Sequence, residues 1–171
     1  MCGRGGHLAG RLKERGYSVR CSDIVDRGYP LEIIDFLRYK GEWEGDIITN
    51  PPYKYAKEFA QKSLEILKPG RKLALFLKLT FLESQKRYIL FQDYPLKAVY
   101  VYSDRMECGK NGKFDSQFSS AICYAWFVWE KGYKGKTTLE IIPPTKMNRK
   151  GLKRKKHLKE KESPKKKKRQ I

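Results

Sequence analysis

Two adjacent prolines, Pro51 and Pro52, stand one residue, Asn50, beyond the short apolar run at residues 46–49. Neither carries a backbone N–H, and each restricts the residue before it. A strand that reaches Thr49 therefore ends there, and the chain leaves along a rigid, extended path. That path displays an amide side chain (Asn50), proline carbonyls and an aromatic ring (Tyr53). The set suits a planar ring bearing an NH2 group. The Asn50 side-chain oxygen and the Pro51 carbonyl can each accept one N–H. This draws the amine nitrogen toward tetrahedral geometry and frees a lone pair otherwise delocalised into the ring. Preorganised polar contacts of this kind are worth most in a dry site. Tyr53 can stack on the ring. The alternative is a plain Pro-Pro turn with a packed tyrosine.

The rest of the chain supplies a context of alternating elements. The glycine-rich start, with Gly3, Gly5 and Gly6, reads as a turn. Residues 8–15 follow as a helix with Leu8, Ala9 and Leu12 on one face and Gly16 as its cap. Residues 17–21 read as a strand ending at Ser22 and Asp23, and 32–37 is ambiguous. Residues 55–67 form a helix with Phe59, Ala60, Leu64 and Leu67 inward. Residues 73–79 are almost continuously apolar, as buried parallel strands are. Residues 97–102 and 121–130 are further strands, and 106–120 is a polar loop. This order predicts an α/β fold with a mostly parallel sheet and helices on both faces. Ligands then sit beyond the carboxyl ends of strands. Asp23 and the 50–53 loop fall at such ends, and the Gly3–Gly6 turn lies where a preceding strand would end.

Charge narrows the partner. The formal net charge is +19. Residues 144–171 carry fourteen Lys/Arg against two acids, a net +12, which leaves +7 for residues 1–143. A basic body with a very basic tail points to a polyanion, most often nucleic acid. The tail, dense in lysine and poor in apolar anchors, is expected to be disordered alone. A domain at 1–143 followed by a lysine-rich tail at 144–171 is the expected organisation. The four cysteines and two histidines lack metal-ligand spacing, so no metal is expected. With no apolar leader and no apolar run long enough to span a bilayer, a cytoplasmic location and no membrane partner are expected.

The 46–53 segment, Asp-Ile-Ile-Thr-Asn-Pro-Pro-Tyr, resembles the catalytic motif of the class I S-adenosylmethionine-dependent amino-methyltransferases, with Asn50 where the adenine enzymes carry it, and the 121–130 stretch, with its Ala-Trp-Phe-Val-Trp-Glu, resembles compact DNA adenine-N6 enzymes of phage or prophage type. The resemblance covers about residues 1–133. It implies a Rossmann-like sheet and S-adenosylmethionine as cofactor. It implies that Asn50, Pro51, Pro52 and Tyr53 hold the target amine. Gly3 and Gly5 resemble the cofactor loop, Asp23 the acid that holds the cofactor's ribose, and Asp35 with Phe36 the contacts to its adenine. The family's first strand and its terminal acid would lie ahead of Met1, so the expected sheet has its first strand truncated. A fragment, or an impaired protein, is then expected. Lys110, Lys113 and Phe114 in the polar loop, and Lys165, Lys166, Lys167, Lys168 and Arg169 in the tail, are the candidate nucleic-acid contacts. A mobile basic loop and a solubilising tail are the alternatives.

The implied activity is methyl transfer to the exocyclic N6 amine of adenine in DNA, on a flipped base. RNA adenine and a protein glutamine amide present the same NH2 geometry and stay open as acceptors. A truncated relic that only binds nucleic acid is the non-enzymatic alternative.

Overall fold

The computed structural model describes residues 6–26, 28–104 and 122–144. Gly3, Gly5, Lys110, Lys113, Phe114, Lys165, Lys166, Lys167, Lys168 and Arg169 lie outside the described residues. Within them the order is α1 (His7–Glu14), β1 (Ser22–Asp23), β2 (Glu32–Ile33), β3 (Ile47–Thr49), α2 (Ala56–Ile66), β4 (Lys72–Lys78), α3 (Gln85–Asp93), β5 (Ala98–Tyr102), β6 (Tyr124–Glu130) and β7 (Thr138–Ile142). Helix α1 stops where the sequence says it should. Gly16 takes φ +84°, its N–H bonds the Lys13 carbonyl, and the Tyr17 N–H bonds the Leu12 carbonyl. That pair of bonds closes the last turn with a left-handed glycine just past the helix end.

Five strands form one sheet in the order β3-β4-β6-β5-β7. β3 pairs parallel with β4, and β5 parallel with β7. β6 lies between β4 and β5 and pairs antiparallel with both. Four strands thus run one way and the central one runs back. The expectation of a mostly parallel sheet is corrected to a mixed one. A continuous apolar run such as 121–130 reports burial on two faces and says nothing of direction. Direction is set by how the chain returns, and here the strand after β5 returns beside it.

The sheet is also divided. β1 and β2 pair parallel with each other as a separate two-stranded piece. The expected strand at 17–21 is replaced by β1 at Ser22–Asp23. Residues 17–20 lie along a cavity of about 540 Å³ instead of beside a partner strand, and β3 lines the same cavity with Ile47, Ile48 and Thr49. The two-stranded piece is braced by Arg20, whose guanidinium meets the Glu32 carboxylate through two hydrogen bonds of 2.5 Å. That contact holds the Glu32 carboxyl below its ordinary pKa and the Arg20 guanidinium above its own.

The core follows from strand alternation. Leu73, Leu75 and Leu77 of β4, Ala125, Phe127 and Trp129 of β6, and Val99 of β5 share one buried face. Helix α2 covers it with Ala56, Ala60 and Leu64, and α3 adds Leu90. Each fully buried leucine stabilises the fold by roughly 1.5–3 kcal/mol. On the opposite face, Leu8, Ala9 and Leu12 of α1 look across the 540 Å³ cavity toward Ala74 and Val128. α3 and β7 were not anticipated from the sequence. α3 buries only Leu90 while Tyr88 and Ile89 stay exposed, and β7 leaves Leu139 and Ile141 in solvent.

Candidate active site

The prolines act as the sequence predicts. β3 ends at buried Thr49, and Asn50 stands exposed beyond it. Pro51 is buried and Pro52 leaves the strand extended, with φ −58° and ψ 123°. The Pro52 carbonyl then accepts the Tyr55 N–H at 2.9 Å. This closes a single 3-10 turn over Tyr53–Tyr55 that feeds straight into α2. One end of the loop is held by the strand, the other by a helix packed on the core. The start of β3 is tied as well, because the Asp46 carboxylate accepts the Lys72 N–H at 2.9 Å.

Asp23, Asp35, Phe36 and Pro52, far apart in sequence, line a second cavity of about 390 Å³. Asp23 is 2% exposed, and its carboxylate accepts the Val25 N–H at 3.3 Å. β1 and β2 position it, since the Ile34 N–H bonds the Asp23 carbonyl at 2.9 Å. Asp35 caps the short 3-10 turn Phe36–Arg38 by accepting the Leu37 N–H at 3.1 Å, and it pairs with Arg38 at 3.3 Å. Phe36 stacks on Phe59 of α2, with centroids 5.2 Å apart and planes 18° from parallel. Ser22, Ile34, Phe36 and Phe59 also line the larger cavity, so the two adjoin in one cleft. Among the described residues, no group of three or more His, Cys, Asp or Glu is arranged to hold a metal ion. No helix of the described residues is long and apolar enough to cross a membrane.

Asn50 and Tyr53 do not line either cavity. They project from the same loop that contributes Pro52 to the cavity wall. The Tyr53 ring, 38% exposed, lies 6.2 Å from the ring of Tyr124, and the Lys78 ammonium stands 5.3 Å from its centroid. Tyr124 is 4% exposed and stacks on Phe76 at 5.3 Å. Trp126 and Tyr102 extend this aromatic group, joined by an indole N–H to phenol oxygen bond of 3.0 Å. Lys78, Phe76 and Tyr124 were absent from the sequence-derived site. The available signal was a charged residue closing an otherwise apolar strand, and a tyrosine opening one.

Of the glycine-rich start, Gly6 is described. It takes φ +60° ahead of α1, and a Cβ there would run into the Tyr29 ring. Glycine at this position is thus required twice over.

No protein-family model matches the sequence, and no curated protein matches it. Solved structures match it in shape. A candidate class I S-adenosylmethionine-dependent methyltransferase of Listeria monocytogenes superposes with a TM-score of 0.56 at 13% identity, over 92% of this chain. This chain covers 61% of that protein's length. A complex of M1.HpyAVI with S-adenosylmethionine, and M1.HpyAVI itself, overlap with TM-scores of 0.33 and 0.32, each at 15% identity. They cover 58% and 63% of this chain and 58% and 60% of their own, and these overlaps are too shallow to bear on the fold. The architecture is an α/β fold similar to that of the class I S-adenosylmethionine-dependent methyltransferases, with a mixed sheet.

Proposed function

We propose that the chain transfers a methyl group from S-adenosylmethionine to the exocyclic N6 amine of adenine in DNA. The observation that carries this reading is the Asn-Pro-Pro-Tyr loop, held rigidly at the carboxyl end of β3 and walling, through Pro52, the cavity that collects Asp23, Asp35 and Phe36. The donor set fits the cofactor. A buried carboxylate at Asp23 suits ribose hydroxyls, Phe36 offers an aromatic face to a purine, and Asp35 sits beside it. The volume falls within the roughly 300–1,000 Å³ usual for ligand pockets. S-adenosylmethionine, when bound, supplies an electrophilic methyl group on a positively charged sulfur.

The protein's own work is positioning. A base leaves the duplex, or arrives single-stranded, because its amine is unreachable in the stack. Tyr53 presents its exposed ring as a stacking surface. The Asn50 side-chain oxygen and the Pro51 carbonyl each accept one amine N–H and bring out the nitrogen lone pair. No strong base is required, since the methylated nitrogen is acidic and releases its proton to water. The basic tail at 144–171, which beyond Pro144 lies outside the described residues, would hold phosphates without reading sequence.

The test is transfer of labelled methyl from S-adenosylmethionine to DNA, RNA and glutamine-bearing peptide, with Asn50→Ala as control. DNA should be methylated, and the alanine variant should lose about 10²–10³-fold in kcat, the scale of removing one preorganised polar contact. Methyl transfer to RNA or peptide in preference to DNA would replace the acceptor. Calorimetry showing no binding of S-adenosylmethionine, with DNA binding intact, would defeat the enzyme reading.

A further inference from the structure

Strand β4 begins and ends with a lysine, Lys72 and Lys78, and the two share a sheet face because they are an even number of residues apart. Their settings differ. Opposite Lys72 on β6 stands Glu130, whereas opposite Lys78 stands Tyr124. Lys68 and Lys97 each hold a glutamate, Glu44 and Glu130. Among the described residues Lys78 makes no ion pair, and its ammonium lies over the Tyr53 ring at 5.3 Å from the centroid. The carboxyl end of the sheet thus carries a half-buried cation that has no carboxylate partner among the described residues, beside the rigid loop. Lys54, over Tyr55 at 5.3 Å, and Lys57 in the first turn of α2 add positive charge to the same loop and helix start, with Glu58 next to Lys57.

We propose that Lys78 is the residue by which this site recognises its acceptor as a phosphate-bearing nucleotide. The base takes the face of Tyr53, and the Lys78 ammonium passes from that ring to the nucleotide's own phosphate. The physical reason is a comparison of partners. A cation over an exposed ring is held weakly, while an ammonium on a phosphate oxygen forms a charge-assisted hydrogen bond. A lysine acts on phosphate as a mobile point charge, and its four-carbon stem lets it move without any backbone change. A stacked base brings a phosphate within reach of the ring that it covers. A protein glutamine brings none, so Lys78 favours nucleotide acceptors over an amide side chain. Lys78 is a positioning and specificity residue here, and the assignment rests on the methyl-transfer reading for what the site does.

The test is binding by the full-length chain to a labelled single-stranded oligodeoxyadenylate, followed by fluorescence anisotropy across a salt series. Wild type, Lys78→Gln and Lys78→Arg are compared. Loss of one phosphate contact should reduce the slope of log K against log salt by about 0.7 for the glutamine variant, the single-strand value per phosphate. The arginine variant should keep the wild-type slope. In methyl-transfer assays KM for the oligonucleotide should rise with kcat little changed. A slope unchanged in Lys78→Gln overturns the assignment, and so does a fall in affinity at constant slope, which is a packing effect on Tyr53. Lys78→Met, with a similar stem and no charge, repeats the comparison if the glutamine variant melts early. The binding result needs no catalysis. A wild-type chain that methylates nothing defeats the proposed function, while an unchanged slope defeats Lys78 whatever the activity.

Discussion

Replacing Tyr53 with alanine separates what the ring does for folding from what it does for binding. The backbone of the loop is fixed by Pro51, Pro52 and the Tyr55–Pro52 hydrogen bond, none of which needs the ring. The ring itself is 38% exposed, tilted on Tyr124 at 6.2 Å and approached by Lys78 at 5.3 Å. The aromatic pair and the cation–π contact, both partly wet, contribute about 1 kcal/mol. For a domain of this size that lowers Tm by about 5 °C or less. Stacking of a base on an aromatic side chain contributes roughly 1–3 kcal/mol, so binding of single-stranded adenine-containing DNA should weaken about 5- to 150-fold. Tyr53→Phe, which keeps the stacking surface, should bind within about twofold of wild type. The assays are anisotropy titration and thermal melting on the same preparations. Alanine and wild type binding alike would refute the stacking role. A melting loss as large as that of a core variant would refute the view that the ring faces outward for a ligand.

Phe127→Ala supplies that core reference. Its ring is wholly buried against Phe81 and Trp129, and truncation should cost about 3–5 kcal/mol in urea unfolding. Gly16→Ala meets no atom within 4 Å but must adopt φ +84°, so it should destabilise by about 1 kcal/mol through backbone strain, read by circular dichroism melting. Glu32→Gln tests the brace at β1 and β2. Because Arg20 lowers the Glu32 pKa in the folded state, the stabilisation is present above the unfolded value of about 4.3 and fades as pH falls through the folded value. The variant should therefore melt below wild type at neutral pH and alongside it in acid. Truncation at Arg149 should weaken DNA binding and flatten its salt dependence while methyl transfer persists, as measured by parallel binding and activity assays.

What could be read in the sequence was what local chemistry enforces. Pro51 and Pro52 end β3 in any setting, and Gly16 ends α1. Residues 73–79 had too few polar positions to be anything except a strand buried on both faces. Asp23 was legible as an acid at a strand end and by resemblance, Asp35 and Phe36 by resemblance alone, and the cavity they line together with Pro52 depends on β1, β2 and α2 meeting in space. Other features were hidden for physical reasons. β7 buries almost nothing, so it has no apolar alternation to betray it. α3 presents one buried side chain, too little for a helical stripe. The direction of β6 leaves no trace in composition. Lys78 and Tyr124 look like a strand end and a strand start. They become site residues because antiparallel pairing sets them opposite each other beside Tyr53.

The reversed position of β6 has a consequence for the order in which the molecule comes into being. Chains are made from the amino end, and domains fold as their parts become available. β3 and β4 can pair early, but Leu75 finds Phe127, and Leu73 finds Trp129, only after residue 129 has left the ribosome. Until then β4 carries a free edge and a row of leucines facing water, the kind of surface that invites pairing with another chain. Contacts so distant in sequence also slow folding. Any pause in translation before Trp129 should therefore be met with chaperone engagement, because the strand that joins both halves of the sheet is among the last parts of it to be synthesised.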